Sequence, residues 1–178
     1  MRGMGKGRGA RVRRASGEGT EMPVQKLKEF LDGHGVKYRV ISHSSAFTAQ
    51  EVAASAHIPG KELAKVVMIK VDGRMAMAVL PASCRVEFRL LKELTGAENV
   101  ELASEKEFKD LFPGCEPGAM PPFGNLYGMD VFAADILAED DEIAFNAGTH
   151  SELIRLPYGD FERLAKPKVL KFSAKYRM

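Results

Sequence analysis

The feature that most constrains this fold is a pair of apolar segments on either side of the dipeptide Asp72-Gly73. The first segment runs from Lys65 to Val71 and the second from Arg74 to Leu80. Asp-Gly readily adopts the positive φ angles of a two-residue hairpin turn, and both segments are rich in residues that favour strands. The sequence therefore predicts two adjacent antiparallel strands.

The composition is that of one globular domain. The chain has 178 residues, of which 45% are hydrophobic and 28% are charged,. Its longest apolar run, Met75 to Leu80, has six residues, whereas a transmembrane helix needs about 20. No apolar signal segment follows the basic N-terminal residues, and two distant cysteines make no disulfide framework. We therefore expect a cytoplasmic protein that does not associate with membranes.

Positive charge is concentrated at both ends of the chain. Residues 1–21 carry a net charge of +4 and residues 162–178 carry +5, whereas residues 22–161 carry −7. Residues 1–21 also hold six of the 17 glycines and no aromatic residue, so they can bury little surface to offset the entropy cost of ordering. We predict a disordered basic tail at 1–21, either an over-extended start or a nucleic-acid-binding arm, and one folded domain at 22–178.

Helices are predicted where apolar residues recur at helical spacing between capping and breaking residues. Capping boxes begin at Thr48 and Ser104, and the second predicts a helix with Phe108, Leu111 and Phe112 on its apolar side. The other predicted helices lie at 23–33, 88–96 and 161–165. Further strands are predicted at 36–41, 99–102, 127–132, 142–147, 151–156 and 168–172. This irregular order of elements predicts an α+β fold and excludes a doubly wound nucleotide-binding fold.

The common catalytic and metal-binding motifs are absent from the sequence. It contains no phosphate-binding loop, no dinucleotide-binding glycine motif, no His-Glu-x-x-His and no Cys-x-x-Cys,. His43 and His150 could meet in space, but their spacing alone does not indicate a metal site. No partner base is indicated for a nucleophile at Cys84 or Cys115. We therefore predict neither a metal nor another cofactor.

Three features could carry chemistry. Lys65 opens an apolar strand, where its ammonium group either extends to solvent or projects into a cleft and binds a phosphate or ribose-phosphate. The loop 113–124 holds four of the nine prolines, and it is either a structural crossover or a place where backbone groups around Gly118 approach a ligand. The segment Phe145-Asn-Ala-Gly-Thr-His150 is either a polar hairpin or a cluster of binding groups.

In this order and spacing, these features resemble the YbaK/EbsC family of aminoacyl-tRNA deacylases, whose domain is also inserted in bacterial prolyl-tRNA synthetases. The similarity runs from about Pro23 to Phe172. It is carried by Lys65 after the helix that starts at Thr48, by Gly-Cys-Glu-Pro-Gly-Ala-Met-Pro-Pro-Phe-Gly, and by Asn-Ala-Gly-Thr-His. The resemblance implies a mixed, mostly antiparallel sheet that is curled into a barrel with helices packed around it.

The resemblance also implies a function in trans-editing, the hydrolysis of the ester that links a wrong amino acid to tRNA. Lys65 is expected to hold the terminal adenosine of the tRNA, and the backbone at Gly118 is expected to place the ester and the attacking water. The other expected substrate-binding residues are Thr48, Ala119, Pro122, Asn146, Gly148, Thr149 and His150. The expected substrate is alanine or cysteine on proline tRNA, and the expected partners are the mischarged tRNA and prolyl-tRNA synthetase.

Two positions depart from the pattern of this family. Many members have Thr or Ser after the lysine and a Gly-Gly pair in the loop, whereas this chain has Val66 and Gly118-Ala119. These departures keep a second hypothesis open. In that hypothesis the domain is a non-catalytic module that uses Lys65 and the basic C-terminal tail to hold tRNA or a synthetase.

Overall fold

Helices and strands follow one another irregularly in the computed structural model, which describes residues 23–43, 56 and 58–176. The helices of these residues are α1 Pro23–Gly33, α2 Phe88–Thr95, α3 Glu105–Phe108 and α4 Tyr158–Ala165. The strands are β1 Arg39–Ser42, β2 Leu63–Val71, β3 Arg74–Pro81, β4 Cys84–Val86, β5 Val100–Leu102, β6 Asp130–Ala134, β7 Glu142–Asn146, β8 Glu152–Pro157, β9 Lys168–Leu170 and β10 Ser173–Lys175. In the described ranges, no helix is long and apolar enough to cross a membrane.

The predicted hairpin is confirmed and lies in the middle of the main sheet. β2 and β3 pair antiparallel as far as Val71 and Arg74, and the turn residues Asp72 and Gly73 have φ angles of 49° and 79°. The strand order is β1-β8-β7-β2-β3-β6-β9, with β5 also paired to β2. The hairpin therefore connects the two halves of the sheet.

The sheet is mixed and mostly antiparallel, as predicted. In this sheet the pairs β1–β8, β2–β3, β2–β5 and β7–β8 are antiparallel, whereas β2–β7, β3–β6 and β6–β9 are parallel. β4 and β10 form a separate antiparallel pair. Among the described strands, the pairing runs from β1 to β9 without joining these two strands. The α+β class is confirmed, and the pairings of the described strands do not show the closure into a barrel that the resemblance implied.

Apolar side chains cover both faces of the sheet. Ala64 and Met68 of β2 lie in one core with residues of α1 and α4, whereas Ile69 lies in a second core with Leu91 and Phe172. Successive residues of a strand point to opposite faces, so β2 separates the two cores. Lys65 is an odd-numbered residue of β2 and belongs to the same face as Ile69.

Several predicted boundaries change because tertiary contacts override local propensity. β1 begins at Arg39 and not at 36, since Val36 is buried and its amide donates to the carbonyl of Leu31 at the end of α1. The prediction for Leu111 is wrong. The Ser104 capping box is present, but α3 ends at Phe108, and a 3-10 turn leaves the Leu111 side chain 42% exposed.

The predicted strand at 127–132 is replaced by a turn and a later strand. Residues Gly124–Tyr127 form a 3-10 turn that ends at Gly128, where φ is 68°, and β6 begins only at Asp130. The short strands β4 and β10 pair only with each other and were not predicted. The predicted helix that starts at Thr48 lies outside the described residues.

Candidate functional site

The proline-rich loop contains a tight turn whose shape depends on two residues. The amide of Ala119 donates to the carbonyl of Glu116 at 3.0 Å, which closes a four-residue turn around Pro117 and Gly118. Gly118 has a φ angle of 83°. Proline at the second position and a positive φ at the third are typical of a type II turn. This sequence therefore presents the Gly118 backbone at the surface, without a side chain.

Two backbone hydrogen bonds join this turn to the segment after β7. The amide of Glu116 donates to the carbonyl of Gly148 at 2.8 Å, and the amide of Gly148 donates to the carbonyl of Ala119 at 2.8 Å. Ala119 and Pro122 are buried beside this junction or shortly after it. The structure thus brings together two of the segments that the sequence analysis singled out, although they lie about 30 residues apart.

His150 holds the same two segments together through its side chain and its backbone. Its Nε2 lies 2.8 Å from the carbonyl oxygen of Pro117, and its backbone amide donates to Oε2 of Glu116 at 2.7 Å. Because a carbonyl oxygen can only accept, Nε2 carries the hydrogen of this bond. His150 is 9% exposed, so its ring fixes the turn that contains Gly118. Thr149 lies beside it, with Oγ1 3.3 Å from the Ser151 hydroxyl.

Lys65 and Asn146 lie at the place where the pairing of β2 with β7 ends. β2 and β7 are parallel, with Leu63 beside Ala144 and Ala64 beside Phe145. This pairing ends at Ala64 and Phe145, so Lys65 and Asn146 are the residues that directly follow the last paired positions of the two strands. Asn146 is the last residue of β7 and precedes Gly148 by two residues. The lysine and the Gly118 turn therefore both lie at the carboxyl end of β7.

The buried Oδ1 of Asn146 has no hydrogen-bond partner among the described residues. The residue is 9% exposed, and its Oδ1 makes no hydrogen bond among the residues that the structure describes. Buried polar atoms are satisfied in the great majority of cases, and an unsatisfied one costs about 1–3 kcal/mol. An unpaired acceptor at this position is suited to receive a donor from a bound molecule.

Lys65 is half-buried, and its ammonium group contacts the C-terminal segment. Nζ donates a hydrogen bond to the phenol oxygen of Tyr176 at 2.7 Å. The same Nζ lies 4.7 Å from the centre of the Tyr176 ring. This longer distance follows from the position of Nζ at the hydroxyl end of the ring, so the contact is a hydrogen bond rather than stacking of the cation on the ring face.

The thiol of Cys115, which lies in the proline-rich loop, is poorly suited to act as a nucleophile. Burial raises the pKa of Cys115 to about 11, so this cysteine is a neutral thiol at physiological pH, whereas the thiolate is the reactive form. Within residues 23–43, 56 and 58–176, no three His, Cys, Asp or Glu side chains form a group that could hold a metal ion.

The structure relates most of the predicted site residues to one another. Gly118, Ala119, Gly148 and His150 meet through the hydrogen bonds above, and Lys65 directly follows the last residue of β2 that pairs with β7. Thr48 lies outside the described residues. Sequence reasoning missed two contributors, Glu116 and Tyr176. The position of Glu116 before a Pro-Gly turn was a local signal for the first, whereas the second depends on a contact across 111 residues.

Comparison with known proteins identifies the family. Residues 43–164 match the model of the aminoacyl-tRNA editing domain. This match spans more than half of the chain, and the chain belongs to that family. The resemblance to the YbaK/EbsC family that the three sequence features indicated is therefore confirmed.

Individual relatives agree with this assignment. The chain is 31% identical over 153 residues to the multifunctional Ser/Thr-tRNA deacylase ProXp-y of Escherichia coli strain K12, which covers 83% of this chain and 91% of that protein. It is 36% identical over 75 residues to the proline–tRNA ligase of Staphylococcus saprophyticus, which covers 42% of this chain and 13% of the ligase.

A solved structure shows the same fold. It is the crystal structure of a candidate trans-editing enzyme for prolyl-tRNA synthetase, and it matches with a TM-score of 0.73 at 18% sequence identity. The match covers 85% of this chain and 97% of that chain. At this identity the likeness concerns the fold alone.

Proposed function

We propose that this protein is a trans-editing hydrolase that removes a wrong amino acid from tRNA by cleaving the aminoacyl ester. The observation that carries the proposal is the junction at the carboxyl end of β7, where the Gly118 turn is bonded to the segment Asn146–His150 beside Lys65. Membership of the aminoacyl-tRNA editing family supports the same reaction. The deacylase named among its relatives supports it as well.

The proposed chemistry relies on positioning. The oxygen of a water molecule attacks the ester carbonyl, the bond from that carbon to the ribose oxygen breaks, and the proton of the water passes to the ribose through its vicinal hydroxyl. An aminoacyl ester is already activated, so a site that orients the water and stabilises the oxyanion is sufficient. We therefore propose a mechanism that needs neither a metal nor a cysteine.

Backbone and side-chain donors have distinct roles in this mechanism. The amide of Gly118 makes no hydrogen bond among the described residues, and Gly118 is exposed. We assign to this amide the stabilisation of the oxyanion, as a donor that needs no reorganisation during the reaction. We propose that the Lys65 ammonium group binds the phosphate or ribose of the terminal adenosine, because a compact charge with three donors suits this ligand.

The amino acid itself is proposed to lie near Asn146. The buried Oδ1 can accept a hydrogen bond from the α-ammonium group of the substrate or from a side-chain hydroxyl,. Steric exclusion must provide the remaining selectivity, because attraction to one extra methylene supplies only about 1–3 kcal/mol. The proposed substrates are therefore small amino acids. Alanine and cysteine on proline tRNA were expected from the sequence, and the name of the Escherichia coli relative adds serine and threonine.

Turnover on a panel of aminoacyl-tRNAs tests this proposal. Proline tRNA charged with alanine, cysteine, serine, threonine or proline is incubated with catalytic amounts of protein. We expect multiple-turnover release of at least one small amino acid and no release of proline. Binding of tRNA without release of any amino acid would contradict the proposal and support the alternative, a non-catalytic module that holds tRNA or a synthetase.

A further inference from the structure

We propose that Tyr176 is a positioning residue of the site, and that its phenol oxygen holds the Lys65 ammonium group in the orientation that receives the tRNA terminus. This inference rests on the proposed function. Its starting point is the 2.7 Å hydrogen bond between Lys65 Nζ and the Tyr176 hydroxyl. Lysine has a long and flexible stem, so a partner that selects one orientation lowers the entropy cost of binding a ligand.

The C-terminal segment that carries Tyr176 is held against the rest of the fold by backbone hydrogen bonds and by a buried side chain. β10 pairs with β4 over three residues, and the amide of Tyr176 donates to the carbonyl of Ser83 at 3.3 Å. Phe172, immediately before β10, is fully buried, and its carbonyl accepts the amide of Glu87 at 2.7 Å. A buried anchor and a paired strand thus precede the tyrosine. The contact with Lys65 follows from the fold and not from a loose chain end.

The sheet brings Ser83 close to Lys65. Lys65 pairs with Leu80 in the β2–β3 hairpin, and Ser83 follows Leu80 by three residues in the turn that leads to β4. The chain that carries Tyr176 therefore runs along the end of β3 next to the lysine. The tyrosine side chain is 45% exposed, so it contacts Lys65 without sealing the site from solvent.

The chemistry of this contact suits a tyrosine that orients the Lys65 ammonium group, and not one that blocks it from binding a ligand. A phenol is neutral at physiological pH, so it orients the ammonium group and leaves its positive charge available to a phosphate, whereas a carboxylate would neutralise that charge. Lys65 forms no ion pair with any described residue, although residues 22–161 carry a net charge of −7. One hydrogen bond to Tyr176 also leaves two of the three ammonium hydrogens for the substrate.

Removal of the hydroxyl alone tests the inference. We expect Tyr176→Phe to lower the rate constant of single-turnover deacylation, measured at a subsaturating protein concentration, by about tenfold. The reason is that a hydrogen bond to a charged group is lost. The melting temperature should not change, because the ring remains and the residue is half-exposed. Tyr38→Phe is the matched control, since it removes a phenol oxygen before the edge strand β1, three strands from β2, and we expect wild-type rates from it.

A double-mutant cycle shows whether Tyr176 acts through Lys65. Added to Lys65→Ala, the change Tyr176→Phe should have no further effect, because the group that it positions is already absent. The inference is overturned if Tyr176→Phe lowers the rate equally in wild type and in Lys65→Ala. It is also overturned if Tyr176→Phe alone leaves the rate unchanged, or raises it by releasing a blocked lysine. Each of these results requires an active wild type, so failure of the inference is distinguishable from failure of the proposed function, in which the wild type itself is inactive.

Discussion

Gly118 meets two requirements that no other residue type meets together. Its φ angle is 83°, and a Cβ atom built on it would lie 3.7 Å from Cε1 of His150. A side chain there would be strained by about 1–3 kcal/mol and would cover the amide that we assign to the oxyanion. We predict that Gly118→Val lowers deacylation on the order of 10² or more while the protein still folds, as measured by single-turnover kinetics and thermal unfolding.

Gly128 provides the control for backbone strain. It has a similar φ angle of 68°, and no atom of a described residue other than its chain neighbours lies within 4 Å of a Cβ built on it. Gly128→Val should therefore lose a comparable amount of stability and retain deacylation. Equal activity in the two valine variants would show that the loop at Gly118 is only structural.

The state of Cys115 makes the proposal of a thiol-free reaction testable. Burial raises its pKa to about 11, so we predict slow alkylation at pH 8 and full deacylation by a variant in which Cys84 and Cys115 are both serine. Activity should also survive exhaustive chelation, since the proposed water needs no Lewis acid. Loss of turnover in a folded, chelated sample or in the double variant would refute this mechanism.

At the scale of elements, the Ser104 capping box connects α3 to the central sheet. Glu107 accepts a hydrogen bond from Lys70 of β2 at 2.6 Å and one from the Ser104 amide at 2.7 Å. These bonds, the lysine first, lower the pKa of Glu107 from 4.5 to about 2. A depressed carboxyl pKa stabilises the fold above pH 4.5, and this contribution is lost as the pH falls towards 2.

Glu107→Gln should therefore change how steeply the stability of the fold decreases below pH 4.5. We predict a lower urea midpoint than wild type at pH 7 and a smaller further decrease between pH 4.5 and pH 2, the window set by the shifted pKa of Glu107,. Glu105→Gln, in the same helical turn but outside the capping box, serves as the control. If the urea midpoints of wild type and Glu107→Gln decrease equally between pH 4.5 and pH 2, the proposed contribution of Glu107 to stability is contradicted.

The elements that sequence predicted well are those with signals inside the element. The hairpin at Asp72-Gly73, the capping box at Ser104 and the end of α2 at Gly96, with a φ angle of 71°, all depend on residues a few positions apart. β4 and β10 have three residues each, and they exist because they pair with each other across about 90 residues. Strands of this kind carry no periodic pattern, so sequence analysis omitted them.

The candidate site was likewise predicted only in part from the sequence. Lys65, Gly118 and the segment Asn146–His150 were proposed from motifs and from the family that they resemble. Their assembly depends on the parallel pairing of β2 with β7 and on hydrogen bonds between segments about 30 residues apart. Tyr176 could not be proposed at all, because its contact with Lys65 requires the β4–β10 pairing that the sequence did not reveal.

Residues 1–21 are not among the described residues, and we propose that they lie outside the folded domain. They contain no aromatic residue and carry a net charge of +4, so we predict that deleting them leaves the melting temperature unchanged. If these residues are a tRNA arm, the deletion should also weaken tRNA binding and reduce the slope of log affinity against log salt by about one for each lost contact. A melting temperature lowered by several degrees would show that the segment packs on the domain.

Lys65 and the Gly118 turn are proposed to form one deacylation site. Single-turnover hydrolysis of the aminoacyl-tRNA that wild type cleaves best, compared between wild type, Lys65→Ala and Lys65→Arg, tests this proposal. We predict that Lys65→Ala folds normally and is slower on the order of 10² or more, since misplacement by about 1 Å costs that much. Lys65→Arg should recover only part of the rate, because a planar guanidinium does not replace a compact ammonium group. Unchanged rates in both variants would mean that Lys65 only extends to solvent, and would contradict the account.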